Sequence, residues 1–299
     1  MAITAATVTG DFSGFLNADQ SGPIFEQAAL TSVVQQLARQ VPLGINGQEI
    51  PVVTSKPVAG WVAEAGQKPA TKGSMALKTM SPKKLAAIAI VSAEVVRANP
   101  GNYVNLLRPQ LAEAFAIAFD SAALHGTSTP FTTFIDQTTK TVEIGTAAAA
   151  AGSVYADLNA GLKLLVDAGK RLTGFAFDVT AEPLFNAAVD TTGRPLFVDS
   201  PTVETAATVQ AGRVLGRPAF IGEGVKGATT TIGYGGDWTQ AAWGVVGGIT
   251  YDVSTEATVT INGELTSLWE HNLLAVRAEA EYGWLVNDTA AFVEYTNAT

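Results

Sequence analysis

Cysteine is absent from this 299-residue chain, which excludes disulfides and thiolate metal sites. Histidine is nearly absent, with only His125 and His271, so a metal centre that needs three or four convergent ligands is not expected. Charge is scarce at 15% of residues, against about 25% in ordinary soluble domains. Its balance is wrong for gripping nucleic acid or an anionic membrane. Eighteen Lys and Arg face 27 Asp and Glu, a net charge of −9, whereas phosphate binding needs a Lys/Arg-rich face. No apolar run approaches the roughly 18 residues that would span a bilayer. The opening Met1-Ala-Ile-Thr-Ala-Ala-Thr lacks a basic region followed by an apolar core, so it does not read as a signal peptide and a cytosolic product is expected.

What is present is enough apolar material, 47% of residues, to bury a real core. Residues 1–22 are polar and aperiodic and read as an extended arm. Ile24, Ala28, Val33 or Val34 and Leu37 recur at helical spacing, with Ser21 near the start and Pro42 as a stop. Two strands follow, Glu49–Thr54 and Leu85–Ser92, separated by some thirty residues punctuated by Gly60, Gly66, Pro69, Gly73 and Pro82. A structureless loop of that length is uncommon in a compact domain, so the stretch reads as a projecting two-stranded excursion.

The clearest helix covers 110–125, where Leu111, Ala114, Phe115, Ala118, Phe119 and Ala122 form one apolar stripe, with Pro109 in its first turn and Gly126 as its stop. Residues 127–150 read as irregular or edge strand. A second helix is predicted from Ser153 to about Arg171 on Val154, Leu158, Leu162, Leu165 and Ala168. Gly174–Val179 reads as a buried strand. A short helix follows from Thr180 to Val189, with Thr180 as cap and Glu182 in the first turn. Val214–Ile221 and segments between Thr229 and Glu294 read as strands, which makes the fold class α+β, helices early and strands late.

Charge is distributed unevenly. Between Val41 and Arg97 seven bases (Lys56, Lys68, Lys72, Lys78, Lys83, Lys84, Arg97) face three acids (Glu49, Glu64, Glu94), so this stretch carries +4 and the remainder −13. The final fifty residues hold eight acids and one base, Arg277. A basic projection on an acidic body suits docking onto another copy, and it equally suits keeping an exposed hairpin soluble.

Catalytic patterns are weak. Gly222-Glu-Gly-Val-Lys-Gly227 spells a dinucleotide motif, but Thr229-Thr-Thr-Ile232 behind it is strand-like where a helix is required, so it reads as a plain loop. His125 ends a helix and reads as a polar cap, and His271 stands between Glu270 and Asn272 without a second histidine. Glu279 and Glu281 share a strand face and read as solvated acids, and no nucleophile elbow occurs. The sequons at Asn287 and Asn297 mean nothing without secretion. The Trp and Tyr residues read as core or interface anchors. No catalytic, cofactor-binding or metal-ligating residue is assigned.

The order of these elements resembles tailed-bacteriophage major capsid proteins of the Hong Kong 97 type. Five local signatures, in order, carry the likeness across about residues 23–295. They are Ala59-Gly-Trp61-Val-Ala-Glu64 with Lys84-Leu-Ala86 and Val91-Ser-Ala-Glu94; Ala118-Phe-Asp120-Ser-Ala-Ala-Leu-His125-Gly126; Thr192-Gly-Arg-Pro-Leu196 with Leu215-Gly-Arg-Pro218; Gly236-Asp-Trp238; and Arg277-Ala-Glu279 with Asp288-Thr-Ala-Ala-Phe-Val293.

The resemblance implies an N-terminal arm at 1–47, an extended loop at 48–98, a peripheral domain with a spine helix at 99–145, an axial domain at 146–260, and C-terminal strands returning to the peripheral domain at 261–299. It further implies hexamers and pentamers of the chain tiling an icosahedral virion shell around double-stranded DNA. DNA would be held only non-specifically, no membrane would be involved, and separate scaffolding, portal and decoration proteins would be further partners. The chain starts almost directly at the arm, so scaffolding is expected to be separate, absent or already removed, and the initiator Met1 favours the first two.

Trp61, Glu64, Lys68, Lys72 and Lys78 are the expected inter-subunit residues, with Trp61 as the anchor. Some relatives cross-link subunits through a Lys–Asn bond promoted by a glutamate. Lys68 or Lys72 with Asn272 and Glu279 would be the corresponding residues, although most such shells hold without the bond. An encapsulin-like nanocompartment, and more remotely a cytosolic enzyme, are the competing readings.

Overall fold

The structure, a computed structural model, describes residues 32–64, 66–68, 70–98, 103–126, 128–148, 152–188, 210–226 and 230–297. In chain order the elements are α1 (Val33–Leu37), β1 (Arg39–Gln40), β2 (Gln48–Ser55), β3 (Ser74–Met80), β4 (Lys83–Ser92), α2 (Ala93–Ala98), α3 (Tyr103–Leu124), β5 (Thr141–Ile144), α4 (Ser153–Asp167), β6 (Gly174–Phe177), α5 (Glu182–Asn186), β7 (Gln210–Val214), β8 (Arg217–Ile221), β9 (Thr231–Gly236), β10 (Ala241–Ser254), β11 (Thr258–Ile261), β12 (Glu264–Ser267), β13 (Leu273–Val286) and β14 (Phe292–Asn297). The α+β expectation holds. Two sheets dominate, one of four strands in the order β1-β10-β13-β4 and one of six in the order β5-β14-β9-β6-β8-β7.

Each sheet has its own helix. The four-stranded sheet turns Leu85, Ala87, Ala278, Ala280, Tyr282 and Trp284 toward α3, whose Phe115 and Phe119 are almost fully buried against them. Alternation along β4 and β13 produces this face, since successive side chains in a strand point to opposite sides. The six-stranded sheet buries Phe175, Phe177 and Tyr295 under Val154, Leu158 and Leu165 of α4. Contact there is close. A Cβ on Gly161 would stand 2.2 Å from the Tyr295 hydroxyl, so only glycine lets α4 settle onto β14.

Several expectations are corrected. The two strands read on either side of the excursion do not pair. β2 pairs antiparallel with β3, from Gln48↔Met80 to Ser55↔Ser74, whereas β4 pairs with β13 in the four-stranded sheet. The long helix starts at Tyr103, so Pro109 lies inside it rather than in its first turn. Its C-terminal end is as expected, with Gly126 at φ +68°. Of the predicted 24–37 helix the structure describes Val33–Leu37, capped by Ser32. Ser21 and the first turns lie outside the described residues. The helix stops before Pro42 because Arg39 and Gln40 are drawn into a parallel pairing with β10.

Asp178, not Thr180, caps the turn that leads into α5, its carboxylate accepting from the Thr180 N–H at 2.9 Å and the Thr180 hydroxyl at 2.7 Å. The single strand read over Val214–Ile221 is a hairpin, because Leu215 at φ +51° and Gly216 at φ +74° form a two-residue turn between β7 and β8.

Candidate functional site

β2 and β3 form a ribbon whose outer part lacks a core of its own. Side chains of Pro51, Val53, Met75 and Leu77 share one face and are exposed, Val53 opposite Met75 and Pro51 opposite Leu77. A lone two-stranded hairpin is marginal in water. Here its base is secured twice. Met80 and Ile50 pack with Leu43 and Leu285, and Lys78 Nζ donates to the Asn287 carbonyl at 2.6 Å. Near the far end, Thr54 and Ser55 reach the Ser74 hydroxyl at 2.6 and 2.8 Å.

Of the expected interface residues, Trp61, Glu64, Lys68 and Lys72 all lie exposed in the loop that joins the two strands. Trp61 has a relative exposure of 107%, no more covered than in an open chain. Lys78 is separate from them. It is committed at the hairpin base through its bond to Asn287.

At that base, beside the start of β4, an open groove of about 430 Å³ runs between β4, the C-terminal half of α3 and the loop at 128–131. Leu85, Phe119, Phe131 and Tyr282 form its apolar wall, and Lys83 and Lys84 stand at its rim. Phe119 meets Tyr282 at 5.0 Å between ring centroids and Phe131 edge-on at 6.2 Å, so the wall is aromatic and rigid. Lys84 is paired with Glu279 at 2.9 Å, whereas Lys83 is exposed. Sequence reasoning missed this groove because its parts lie as much as 199 positions apart along the chain, as Lys83 and Tyr282 do.

On the opposite side of α3 from the groove, Asp120 is buried and ties down the N-terminal segment. Its carboxylate accepts from the Ser32 hydroxyl, the Val33 N–H at 2.8 Å and the Val34 N–H at 3.3 Å. Burial pushes its pKa up to about 7 against these donors, which pull it down.

Gly222 and Gly224 press against the same point. A Cβ on Gly222 would stand 2.5 Å from Val33 Cγ2, and one on Gly224 2.7 Å from Asp120 Cβ. Two glycines of the nucleotide-like motif, Gly222 and Gly224, are therefore packing glycines just after β8, and the third, Gly227, lies outside the described residues. His125 seals the junction. Its Nε2–H donates to the Val225 carbonyl at 2.7 Å, and Nδ1 faces the Tyr234 hydroxyl at 2.9 Å. Burial holds the imidazole below its usual range. This is more than the helix cap that its position suggests.

Within one chain the residues suggested for a bond between subunits stand apart. Asn272 immediately precedes β13 and Glu279 is seven residues along the extended strand, roughly 23 Å away at about 3.3 Å per residue. Glu279 is engaged by Lys84 and by Arg277 at 3.6 Å, and the carboxylate that Asn272 meets is Glu94.

The model of the phage capsid family matches residues 13–297. The chain is 45% identical to "Probable major capsid protein gp17" of Mycobacterium phage D29 over 97% of its own length and 92% of that protein. It is 44% identical to the protein of the same name from Mycobacterium phage L5, with the same coverage. Among solved structures, a chain from Gordonia phage Cozz superposes with a TM-score of 0.76 at 24% identity, covering 97% of this chain and 94% of that one.

Proposed function

We propose that this chain, which belongs to the phage capsid family, joins its neighbours through the projecting β2–β3 hairpin to form hexamers and pentamers of a shell around double-stranded DNA. It is a major capsid protein of a tailed phage with a Hong Kong 97-type fold, assembles with copies of itself, and has its place in the virion capsid. Relatives named as phage capsid proteins do not favour the encapsulin alternative.

The proposed division of labour runs by chain segment, and the sheets cross its bounds, with β10 in the α3-backed sheet and β5 and β14 in the α4-backed one. Residues 1–47 serve as arm and 48–98 as extended loop. Residues 99–145 form the peripheral domain around α3 and 146–260 the axial domain, with 261–299 returning to the peripheral domain. The observation that carries the reading is the hairpin: an apolar strip and a bare tryptophan held out on a ribbon with no core of its own. Exposed apolar surface of this kind marks a protein contact. Many such contacts, each weak, give a stable shell through multivalency. A body of net charge −13 outside the 41–97 stretch supports a wall that holds packaged DNA without specific grip.

Electron microscopy of the chain expressed alone, with sizing chromatography, tests the reading. Closed shells, tubes, or free hexamers and pentamers are expected. A subunit that stays monomeric even with the phage's other head proteins supplied overturns it.

A further inference from the structure

We propose that the groove between β4, α3 and the 128–131 loop is the seat for Trp61 of a second copy of this chain, with Glu64 of that copy pairing with Lys83 at the rim. The inference rests on the shell reading above and names the surface through which one copy holds the next.

Four observations converge. The groove is apolar and aromatic on its walls, has a volume of about 430 Å³, and stands open. Such a cleft suits an aromatic anchor. Trp61 is fully exposed, so the described residues of its own chain do not supply the pocket that so large an apolar side chain is expected to find.

The groove also lies at the base of the hairpin, where β3 ends at Met80 and β4 begins at Lys83, while Trp61 lies beyond the far end of β2. Eight strand residues at about 3.3 Å each put roughly 25 Å between the two ends. Tip and seat are thus different surfaces at opposite ends of one element.

Charge agrees as well. The tryptophan is followed three residues later by Glu64, and the rim presents Lys83, whose neighbour Lys84 is already held by Glu279. A tip that fits a different surface on the next copy is a head-to-tail contact, and such contacts close into rings when the rotation between copies divides a full turn.

Two other surfaces compete. The β11–β12 hairpin exposes Leu265 and the turn after it exposes Trp269, among Glu256, Glu264 and Glu270. It complements Lys68 and Lys72 of the loop, but its Leu265 and Trp269 stand out into solvent. A second cleft, of about 570 Å³, is larger and has Phe220 and Trp238 in its lining, but Gln36, Arg39, Thr173 and Thr239 make its walls more polar than those of the groove at the hairpin base.

Because the natural chain has no cysteine, paired substitutions report contacts cleanly. The chain carrying Val62→Cys and Ser121→Cys is assembled, oxidised and run on a non-reducing gel, beside the single variants and a Val62→Cys/Leu265→Cys control. A ladder of chain multiples from the Ser121 pair, with monomer from the single variants, is expected. Particles that form normally but cross-link only through Leu265, or not at all, overturn the groove and leave the shell reading intact. Failure of the unaltered chain to assemble overturns both.

Charge exchange is the second readout. Glu64→Lys or Lys83→Glu alone is expected to lower particle yield several-fold, and the two together to restore it. Equal yields from all three sink the ion pair.

Discussion

A carboxylate as deeply buried as Asp120 has to be satisfied by donors, and it takes all three of its own from the first residues of α1. Asp120→Ala leaves a hydroxyl and two backbone N–H groups buried without acceptors. A loss of about 2–4 kcal/mol in subunit stability is expected, measured by denaturant unfolding of dissociated subunits. Gly224→Ala attacks the same point from the other side. Its Cβ would stand 2.7 Å from Asp120 Cβ, an atom next to the helix backbone that has little room to retreat, and about 1–3 kcal/mol of destabilisation follows.

The pH dependence has a definite sign. Asp120 is raised from 3.8 to about 7 in the folded chain, so the folded state holds this proton more tightly than the unfolded one. Its contribution is complete below about pH 4 and is lost as pH rises through about 7. Thermal unfolding between those limits is expected to show stability falling with pH, less steeply in Asp120→Asn. An unchanged slope in that variant assigns the pH dependence to other groups.

At the scale of elements, the hairpin should separate folding from assembly. Trp61 is fully exposed among the described residues, so Trp61→Ala is expected to leave the melting temperature of the dissociated subunit unchanged while shell yield falls. Lys78→Ala removes the bond to Asn287 and is expected to loosen the hairpin base, read as faster proteolysis between residues 55 and 74.

What the sequence disclosed and what it hid follow from the same physics. β4 was legible because Leu85, Ala87 and Ala89 alternate with outward residues over a packed face. Its neighbour β3 was not. Met75 and Leu77 point to solvent, so the apolar alternation had no buried side to reveal it. Pro109 hid the first turns of α3, since proline usually marks a boundary and this helix runs through it. Trp61, Glu64, Lys68 and Lys72 could be grouped from sequence because one loop carries them, exposed. The groove and the Asp120 junction were invisible, since each joins segments that only the tertiary fold brings near.

For the molecule as a whole, the uneven charge becomes a rate argument. The 41–97 stretch carries +4 and the remainder of the chain −13, so approach of one copy's loop to another copy's body is electrostatically favoured at long range. Salt shortens that range from about 30 Å at 0.01 M to about 3 Å at 1 M. Seating of an apolar anchor responds in the opposite direction, because salting-out ions strengthen burial. Initial assembly rates followed by light scattering are therefore expected to fall as sodium chloride rises from about 0.05 M to about 0.5 M, while finished particles stay intact across the same range. Lys68→Glu with Lys72→Glu, both in the exposed loop, is expected to slow assembly at low salt and to flatten the salt dependence. A rate that does not respond to salt, in the natural chain and the double variant alike, reduces the basic loop to a solubility device and leaves apolar burial as the sole driving force.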